Sequence, residues 1–265
     1  MRKFSFERII ILCLFIIYSF CLLANTHLAN HDTRSFSLGE IHALSEEGIN
    51  PAYLSISSSK EIGICVFNRF SMKELNTSSL YLNYPNKRID YGARISIFGY
   101  SDYQIIAIQN SFAKKIFRKL SLGVSFLYIN ESSLLKEKLE HSFSSHLSCL
   151  YIFNEQLHFS FLCENILNNL PGVNQNYYSG IKYRPYENLS FVLEGSYHHS
   201  RQLNLSAGFE YFILDQFIIR SAIQLNPKTP SLGIAYLFSK YKLDAGFSLH
   251  SVLGISSSIS FSYYL

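Results

Sequence analysis

The sequence predicts an all-β protein, a 14-stranded antiparallel transmembrane β-barrel with a short N-terminal plug-like segment. From residue 61 onward, apolar and polar residues alternate over segments of about ten residues, as transmembrane strands require. Charged residues make up only 16% of the chain and aromatic residues 15%, which is typical of strands. After residue 24 no apolar run reaches the roughly 20 residues of a transmembrane helix. A membrane protein without such a run must satisfy its backbone hydrogen bonds by forming a closed β-barrel.

Residues 1–24 are predicted to be a secretory signal peptide. Arg2, Lys3 and Arg8 form a basic start, an uncharged apolar run covers 9–24, and polar residues follow. A retained membrane anchor is the alternative, but 16 residues are short for a span. Export of a barrel-forming chain predicts a location in a bacterial outer membrane.

Residues 25–60 are predicted to be a periplasmic or plug segment with a short helix. Leu, Ile and Ala mix with Glu and His over 38–47, and Gly48 and Pro51 would end a helix there. One interpretation is a periplasmic tail. The sharper hypothesis is a plug folded into the lumen that gates small molecules.

Residues 61–265 are predicted to form the barrel. In the clearest segment Tyr241 and Leu243 share one face, while Lys242 and Asp244 share the other. The even number of strands suits a single-chain bacterial barrel. The predicted strands are 61–68, 75–84, 89–100, 103–112, 120–130, 141–152, 157–165, 176–184, 189–198, 202–213, 217–225, 231–238, 241–250 and 254–265.

The connections between these strands predict how the barrel sits in the membrane. Short turns face the periplasm in such barrels and longer loops face outward. The longer connections are predicted at 69–74, 131–140, 165–175 and 226–230, which places both termini in the periplasm. The last strand alternates aromatic residues and resembles the signal that the barrel-assembly machinery reads, so this machinery and outer-membrane lipid are the expected partners.

A set of charged residues is predicted to face the lumen, because it lies opposite the apolar faces. A Lys or Arg facing lipid at the bilayer midplane would cost about 2–4 kcal/mol. The mixed signs predict ion pairs that fill the interior, and a polar path for a solute is the alternative. The set comprises Arg94, Lys182, Glu194, Glu210, Arg220 and Asp244.

Other chemistry finds little support in the sequence. Cys65, Cys149 and Cys163 are too few for a disulfide framework and lack the spacing of a zinc site. No nucleophile turn appears, and His198 and His199 would lie on opposite strand faces. We therefore predict no enzyme, no catalytic residues, no metal and no cofactor, with an outer-membrane lipid hydrolase as the remaining alternative. The net charge of +4 without a basic block argues against nucleic acid as a partner.

Two segments resemble a known family. Asn50-Pro51-Ala52 resembles the segment that opens barrels of the FadL-like superfamily. The ending, with Asp244, His250 and Gly254, resembles that of the PorV/PorQ branch, which belongs to the Bacteroidota and serves or accompanies type IX secretion.

These resemblances imply two functions. The PorV/PorQ branch implies a non-enzymatic outer-membrane barrel that supports type IX secretion or surface attachment, with secretion-system components or secreted proteins as partners. The wider superfamily implies a passive channel for hydrophobic small molecules. An apolar pocket or lateral gap would favour the channel, whereas a lumen closed by the charged set and residues 38–54 would oppose it.

Overall fold

The computed structural model describes residues 31–134, 136–167, 175–198 and 203–265, and for 136–140 the backbone alone. The predicted signal peptide, 1–24, and residues 25–30 lie outside the described residues. The described chain starts with helix α1 (Thr33–Ser37) and a 3-10 helix (Pro51–Ile56), and a second 3-10 helix, Lys73–Leu75, lies between the first two strands. The strands are β1 Glu61–Asn68, β2 Asn76–Tyr84, β3 Asp90–Tyr100, β4 Tyr103–Phe117, β5 Leu120–Ser133, β6 Lys136–Ile152, β7 Leu157–Glu164, β8 Asn176–Tyr186, β9 Leu189–His198, β10 Asn204–Leu214, β11 Phe217–Leu225, β12 Lys228–Phe238, β13 Tyr241–His250 and β14 Gly254–Tyr264.

The strands form a closed antiparallel barrel. Each strand pairs with its neighbours in sequence, and β1 pairs with β14 from Glu61↔Tyr264 to Asn68↔Ser257. Closure leaves no free sheet edge, as a bilayer demands. The predicted 14-stranded antiparallel barrel is therefore confirmed.

The two faces of the barrel wall differ as the alternation predicts. On β13 the side chains of Tyr241 and Leu243 are exposed on the outside, and those of Lys242 and Asp244 are buried on the inside. The outer surface of the other strands is likewise rich in exposed Ile, Leu, Phe and Tyr, which suits contact with lipid. Among the described residues, no helix is long and apolar enough to cross a membrane.

The two ends of the barrel can be told apart by the chain ends. We call the end where β1 begins and β14 ends the turn end. There Leu265 N donates to Lys60 O at 2.9 Å. The opposite end, the loop end, carries the connections after β1, β7 and β9. That the turn end faces the periplasm stays a prediction.

Two predicted outer loops are wrong. Residues 131–133 and 136–140 extend the β5–β6 hairpin instead, with Glu131↔Glu140 and Ser133↔Lys136 paired. Residues 228–230 belong to β12, so the connection before it is only 226–227. A hairpin that projects into solvent is held by its backbone pairing and needs no apolar alternation, so the polar sequence concealed these strands.

The predicted helix over 38–47 is also wrong. The helix lies earlier, at Thr33–Ser37, and Gly39 (φ 89°) and Glu40 (φ 55°) turn the chain out of it. Farther on, the backbone N–H groups of His42 and Leu44 donate to a wall carboxylate, Glu194, instead of to a helical carbonyl. Pro51 does not end a helix but begins the 3-10 helix, where its missing N–H costs nothing.

The segment 31–56 lies inside the barrel. Its side chains Leu38, Ile41 and Leu44 are fully buried and pack in one cluster with Leu150 and Val192 of the wall. We call residues 31–56 the plug. Fully buried apolar side chains anchor its middle, so the plug is part of the protein's core.

Candidate functional site

A chain of ion pairs fixes the first half of the plug to the wall. Arg34 Nε donates to Glu210 Oε2 at 3.0 Å, and Arg220 Nε donates to the same oxygen at 2.6 Å. Arg220 Nη1 lies 2.8 Å from both carboxylate oxygens of Asp244. Lys242 Nζ follows, 3.8 Å from Asp244 Oδ2. Because these charges are buried, each needs the others to offset its desolvation.

Two further ion pairs fix the second half of the plug. Lys182 Nζ donates to Glu46 Oε1 at 2.5 Å, and Lys242 pairs with Glu47. Arg34 Nη2 lies 3.4 Å from Glu46 Oε1, so both halves of the plug join one network. Burial raises the pKa of Glu46, but Arg34 and Lys182 outweigh it and hold that pKa at about 2. The carboxyl of Glu46 is therefore ionised at neutral pH.

A second cluster, nearer the loop end, centres on His42. Its Nδ1 lies 2.9 Å from Glu164 Oε1, and its ring stacks on Tyr178 at 4.5 Å between centroids. Tyr178 OH donates to the other oxygen of Glu164 at 3.2 Å. Burial lowers the pKa of His42, but Glu164 and then Glu194 outweigh it and raise that pKa to about 9. His42 therefore carries a positive charge at neutral pH.

Backbone groups of the plug are held by polar wall side chains. Arg94 Nη1 donates to His31 O at 2.9 Å, and Arg94 Nη2 donates to Glu47 O at 2.5 Å. Asn50 caps the 3-10 helix by accepting from Ala52 N at 2.9 Å and donates to Ser160 Oγ at 2.9 Å. The irregular backbone is thus paired although it lies in a closed barrel.

Glycines of the wall make room for the plug. A Cβ built on Gly123 of β5 would collide with the backbone of Pro51 and Ala52, and one on Gly233 of β12 would collide with Ser37. The Pro51-Ala52 segment therefore lies directly against the barrel backbone. Only glycine allows this approach.

The plug separates two cavities. The cavity at the loop end, the loop vestibule, has a volume of about 300 Å³ and reaches the plug at Glu40 and His42. The cavity at the turn end, the turn vestibule, has a volume of about 310 Å³ and reaches it at Glu46 and Glu47. The plug as a whole therefore lies between the two vestibules.

A third cavity lies in the outer surface of the wall across β7–β10. It measures about 340 Å³, and most of its lining side chains are apolar and face outward. Gly195 faces outward and pairs with Ser179 of β8 and Leu205 of β10. Because Gly195 and Ser179 are small, they leave this depression, which we call the wall groove. Tyr178 and Ser196 line both the wall groove and the loop vestibule, and they are paired in the β8–β9 ladder, so the two cavities lie on opposite faces of one continuous sheet.

The structure places all six charged residues predicted for the lumen inside the barrel, each at most 4% exposed. Glu210, Arg220 and Asp244 form one cluster, which Lys182 joins through Glu46 and Arg34 of the plug, whereas Arg94 and Glu194 contact the plug at other points. Lys242 also belongs to the inward charged set, in phase with Asp244 on β13, although it was not predicted as a member. The plug partners of the set were not predicted either, since irregular backbone has no period to reveal them.

The remaining motif residues have local structural contacts. His250 Nδ1 accepts from the backbone N–H of Val252 and Leu253 at 3.2 and 3.1 Å, which closes the β13–β14 turn. Gly254 follows with φ 92°, a conformation that favours glycine. Cys65, Cys149 and Cys163 are free thiols. Within the described ranges no three His, Cys, Asp or Glu side chains are placed to hold a metal ion.

Comparison with solved structures identifies the fold. A Pseudomonas aeruginosa FadL homologue superimposes with a TM-score of 0.65 at 10% identity, covering 88% of this chain and 98% of that one. The barrel shares the fold of this homologue. The ΔS2S3 mutant of the TodX monoaromatic hydrocarbon channel has a TM-score of 0.70 at 11% identity and covers 90% of this chain and 100% of its own. The CymD monoaromatic hydrocarbon channel has a TM-score of 0.65 at 14% identity, with 90% and 98% covered.

The likeness to these channels is one of fold. No family model matches the chain, and no curated protein matches its sequence. The FadL-like barrel and its outward apolar surface support a location in an outer membrane.

Proposed function

We propose that this chain is an outer-membrane channel for hydrophobic small molecules, closed by its plug and opened by movement of the plug. The observation that carries the proposal is the pair of residues, Tyr178 and Ser196, shared by the loop vestibule and the apolar wall groove. A hydrophobic solute in the loop vestibule is separated from the membrane there by this one sheet, and a lateral exit would require the β8–β9 pairing to part. Two solved channels of the same fold, TodX and CymD, are monoaromatic hydrocarbon channels, which supports the solute class.

The plug is suited to control this lateral route. His42 of the plug stacks on Tyr178, and Glu164 holds both side chains by hydrogen bonds. Withdrawal of His42 would remove the packing on the Tyr178 ring and leave this part of the β8–β9 ladder with less support from the lumen. The plug and the buried charged set meanwhile close the lumen between the two vestibules, which is the arrangement expected to oppose an open channel, so transport requires the plug to move.

Uptake of a labelled hydrophobic probe tests the proposal. Cells with an intact outer membrane and no channel of this kind would express the full chain and be given labelled toluene. We expect uptake several-fold above that of cells carrying an empty vector. Uptake equal to the empty vector, with the barrel folded in the outer membrane, would refute the proposal.

A groove-filling variant tests the lateral route. A Cβ on Gly195 would meet only Leu205 Cδ2, at 3.5 Å, so Gly195→Phe fills the wall groove without a collision at its Cβ. Ala245→Phe is the matched control, because Ala245 also faces outward but on β13. We expect Gly195→Phe to reduce toluene uptake to near the vector level and Ala245→Phe to leave it unchanged. Equal uptake by the two variants would contradict a lateral exit.

Support of type IX secretion is the second candidate. It is motivated by the resemblance of Asp244, His250 and Gly254 to the PorV/PorQ ending, and it would make secretion components or secreted proteins the partners. Deletion of the gene followed by mass spectrometry of surface-exposed proteins tests it. A surface proteome that is unchanged would count against this candidate, and type IX secretion genes in the same genome would favour it.

A further inference from the structure

Six basic side chains gather at one side of the turn end. The β3–β4 ladder starts at Asp90↔Ala113, so the residues just beyond it on both strands lie side by side, and paired strands are about 4.8 Å apart. Folding thus joins two short basic runs into what we call the basic patch. The basic patch consists of Lys87, Arg88, Lys114, Lys115, Arg118 and Lys119.

The basic patch is not neutralised by the protein. All six side chains are exposed, and within the described part of the chain none of them forms an ion pair. The acidic residues on the neighbouring turns are Asp90 and Glu155, and Asp90 Oδ1 accepts from Asn86 N at 2.9 Å. Lys119 Nζ donates to a backbone carbonyl, that of Phe153, at 2.8 Å. The excess positive charge therefore faces whatever lies outside the barrel.

The basic patch borders the lipid-facing surface. Lys114 pairs with outward-facing Leu122 on β5, directly beyond the exposed ring of Phe112. After a bulge, Phe117 pairs with Leu120 and is 67% exposed. A lysine at this position lays its stem on apolar surface and extends its ammonium to the headgroups, and an aromatic ring beside it marks the membrane interface.

The positive charge is confined to one side of the turn end. Elsewhere at the turn end the exposed charged residues are mixed, with Lys60, Arg184 and Lys240 set against Glu187 and Asp215. A ligand attracted to the patch must therefore be negatively charged and sit beside β2–β5. An acidic protein would complement only the positive charge of the patch. An anionic lipid would also account for the position of Lys114 and Phe117 on the lipid-facing surface.

We propose that the basic patch binds the headgroup of an anionic glycerophospholipid, such as phosphatidylglycerol, in the leaflet at the turn end. Several lysine and arginine side chains near a membrane surface attract anionic lipid in this way. The site requires only that the barrel lies in a bilayer. It is independent of the solute that the channel carries.

The absence of tryptophan from the chain provides a clean probe of this site. Phe117→Trp places a single fluorophore at the basic patch, and Phe238→Trp places one at the turn end on the opposite side. Each full-length variant is refolded in phosphatidylcholine vesicles that contain either brominated phosphatidylglycerol or brominated phosphatidylcholine as the quencher. We expect phosphatidylglycerol to quench Phe117→Trp at a several-fold lower mole fraction than phosphatidylcholine, and both lipids to quench Phe238→Trp alike. The preference should weaken in 0.5 M NaCl, which screens exposed charges.

Charge neutralisation separates binding by the patch from a general lipid effect. In the Phe117→Trp background, combined Lys87→Gln, Arg88→Gln, Lys114→Gln, Lys115→Gln, Arg118→Gln and Lys119→Gln should abolish the preference. Combined Arg184→Gln and Lys240→Gln should retain it. The heat-modifiable mobility of each variant on a gel checks that its barrel is folded. The salt titration tests the proposal independently, because it uses the Phe117→Trp protein with the basic patch intact. Equal quenching by the two lipids at Phe117→Trp, or capture of an acidic protein without any lipid preference, would overturn the proposal.

Discussion

Arg34 of the plug and Glu210 of β10 form a two-point ion pair, with Nε to Oε2 at 3.0 Å and Nη2 to Oε1 at 3.2 Å. Their side chains are only 4% and 5% exposed. Arg220 shares the same carboxylate and links it to Asp244. Glu210 therefore connects the plug to the buried ion pairs of the wall. The same carboxylate holds the plug and offsets the charge of Arg220 in the wall.

Removal of Arg34 should destabilise the protein strongly. Arg34→Ala leaves buried carboxylates short of a partner, and breaking a buried pair costs about 3–5 kcal/mol. Arg69→Ala is the control, because its pair with Glu40 is 29% exposed on both sides and such pairs contribute about 1 kcal/mol or less. The free energy of unfolding in urea, measured in detergent, compares them. Similar losses in both variants would contradict the role of the buried network.

A methyl group on Gly123 should displace the 3-10 helix. In Gly123→Ala the new Cβ collides with the backbone of Ala52, and overpacking of this kind costs about 1–3 kcal/mol. Gly195→Ala is the control, since its Cβ meets only Leu205 at 3.5 Å. Proteolysis within the plug should become faster in Gly123→Ala alone. A plug that remains protected in this variant would show that close packing on β5 does not hold it.

Docking of the plug should weaken at alkaline pH. The pKa of His42 rises from 6.5 to about 9 in the folded protein, because Glu164 and Glu194 outweigh the effect of burial. A group with a raised pKa contributes its full stabilisation below pH 6.5, and that contribution is lost as pH rises through 9. Plug protection from protease should therefore fall between pH 6.5 and 9. In His42→Gln this particular dependence should vanish, and an identical pH profile in both proteins would contradict the assignment.

Removal of the Tyr178 ring should open the lateral route. Tyr178 lines both the loop vestibule and the wall groove, so Tyr178→Ala should raise toluene uptake several-fold. Tyr81→Ala is the control, because Tyr81 is an equally buried inward tyrosine on β2, away from the groove. Equal uptake by the two variants would show that the ring of Tyr178 is not the barrier.

The barrel and the direction of its side chains could be predicted because a strand alternates with a period of two. Lys242 and Asp244 on β13 illustrate this, since each lies between outward-facing apolar residues and both are buried in the lumen. The alternation fails where inward residues such as Leu150 and Val192 pack on the plug, and where strands leave the apolar environment. The extended β5–β6 hairpin beyond Asn130 is such a region.

The plug could not be predicted in detail, because its conformation depends on partners far away in the sequence. The Glu194 carboxylate accepts hydrogen bonds from the backbone N–H groups of His42 and Leu44. The local sequence pattern of this segment predicts a helix instead. Lys182 of the wall and Glu46 of the plug are 136 residues apart in the sequence, so no local pattern reveals their ion pair. The basic patch was hidden for the same reason, since its two basic runs become neighbours only when β3 pairs with β4.

The central claim is that movement of the plug opens the channel, and a reversible lock tests it directly. Thr33 Oγ1 of the plug lies 3.5 Å from Sγ of Cys65 on β1. Thr33→Cys therefore places a second thiol beside a native one, and oxidation would tie the plug to the wall. Thr33→Cys combined with Cys65→Ser is the matched control, which cannot form this bond.

The measurement is uptake of labelled toluene by cells that express each variant, before and after treatment with a reductant. We predict that oxidised Thr33→Cys shows uptake near the vector level and that reduction restores it, whereas the control is unaffected by either treatment. Uptake by oxidised and reduced Thr33→Cys that is equal and above the vector level would contradict a channel gated by its plug.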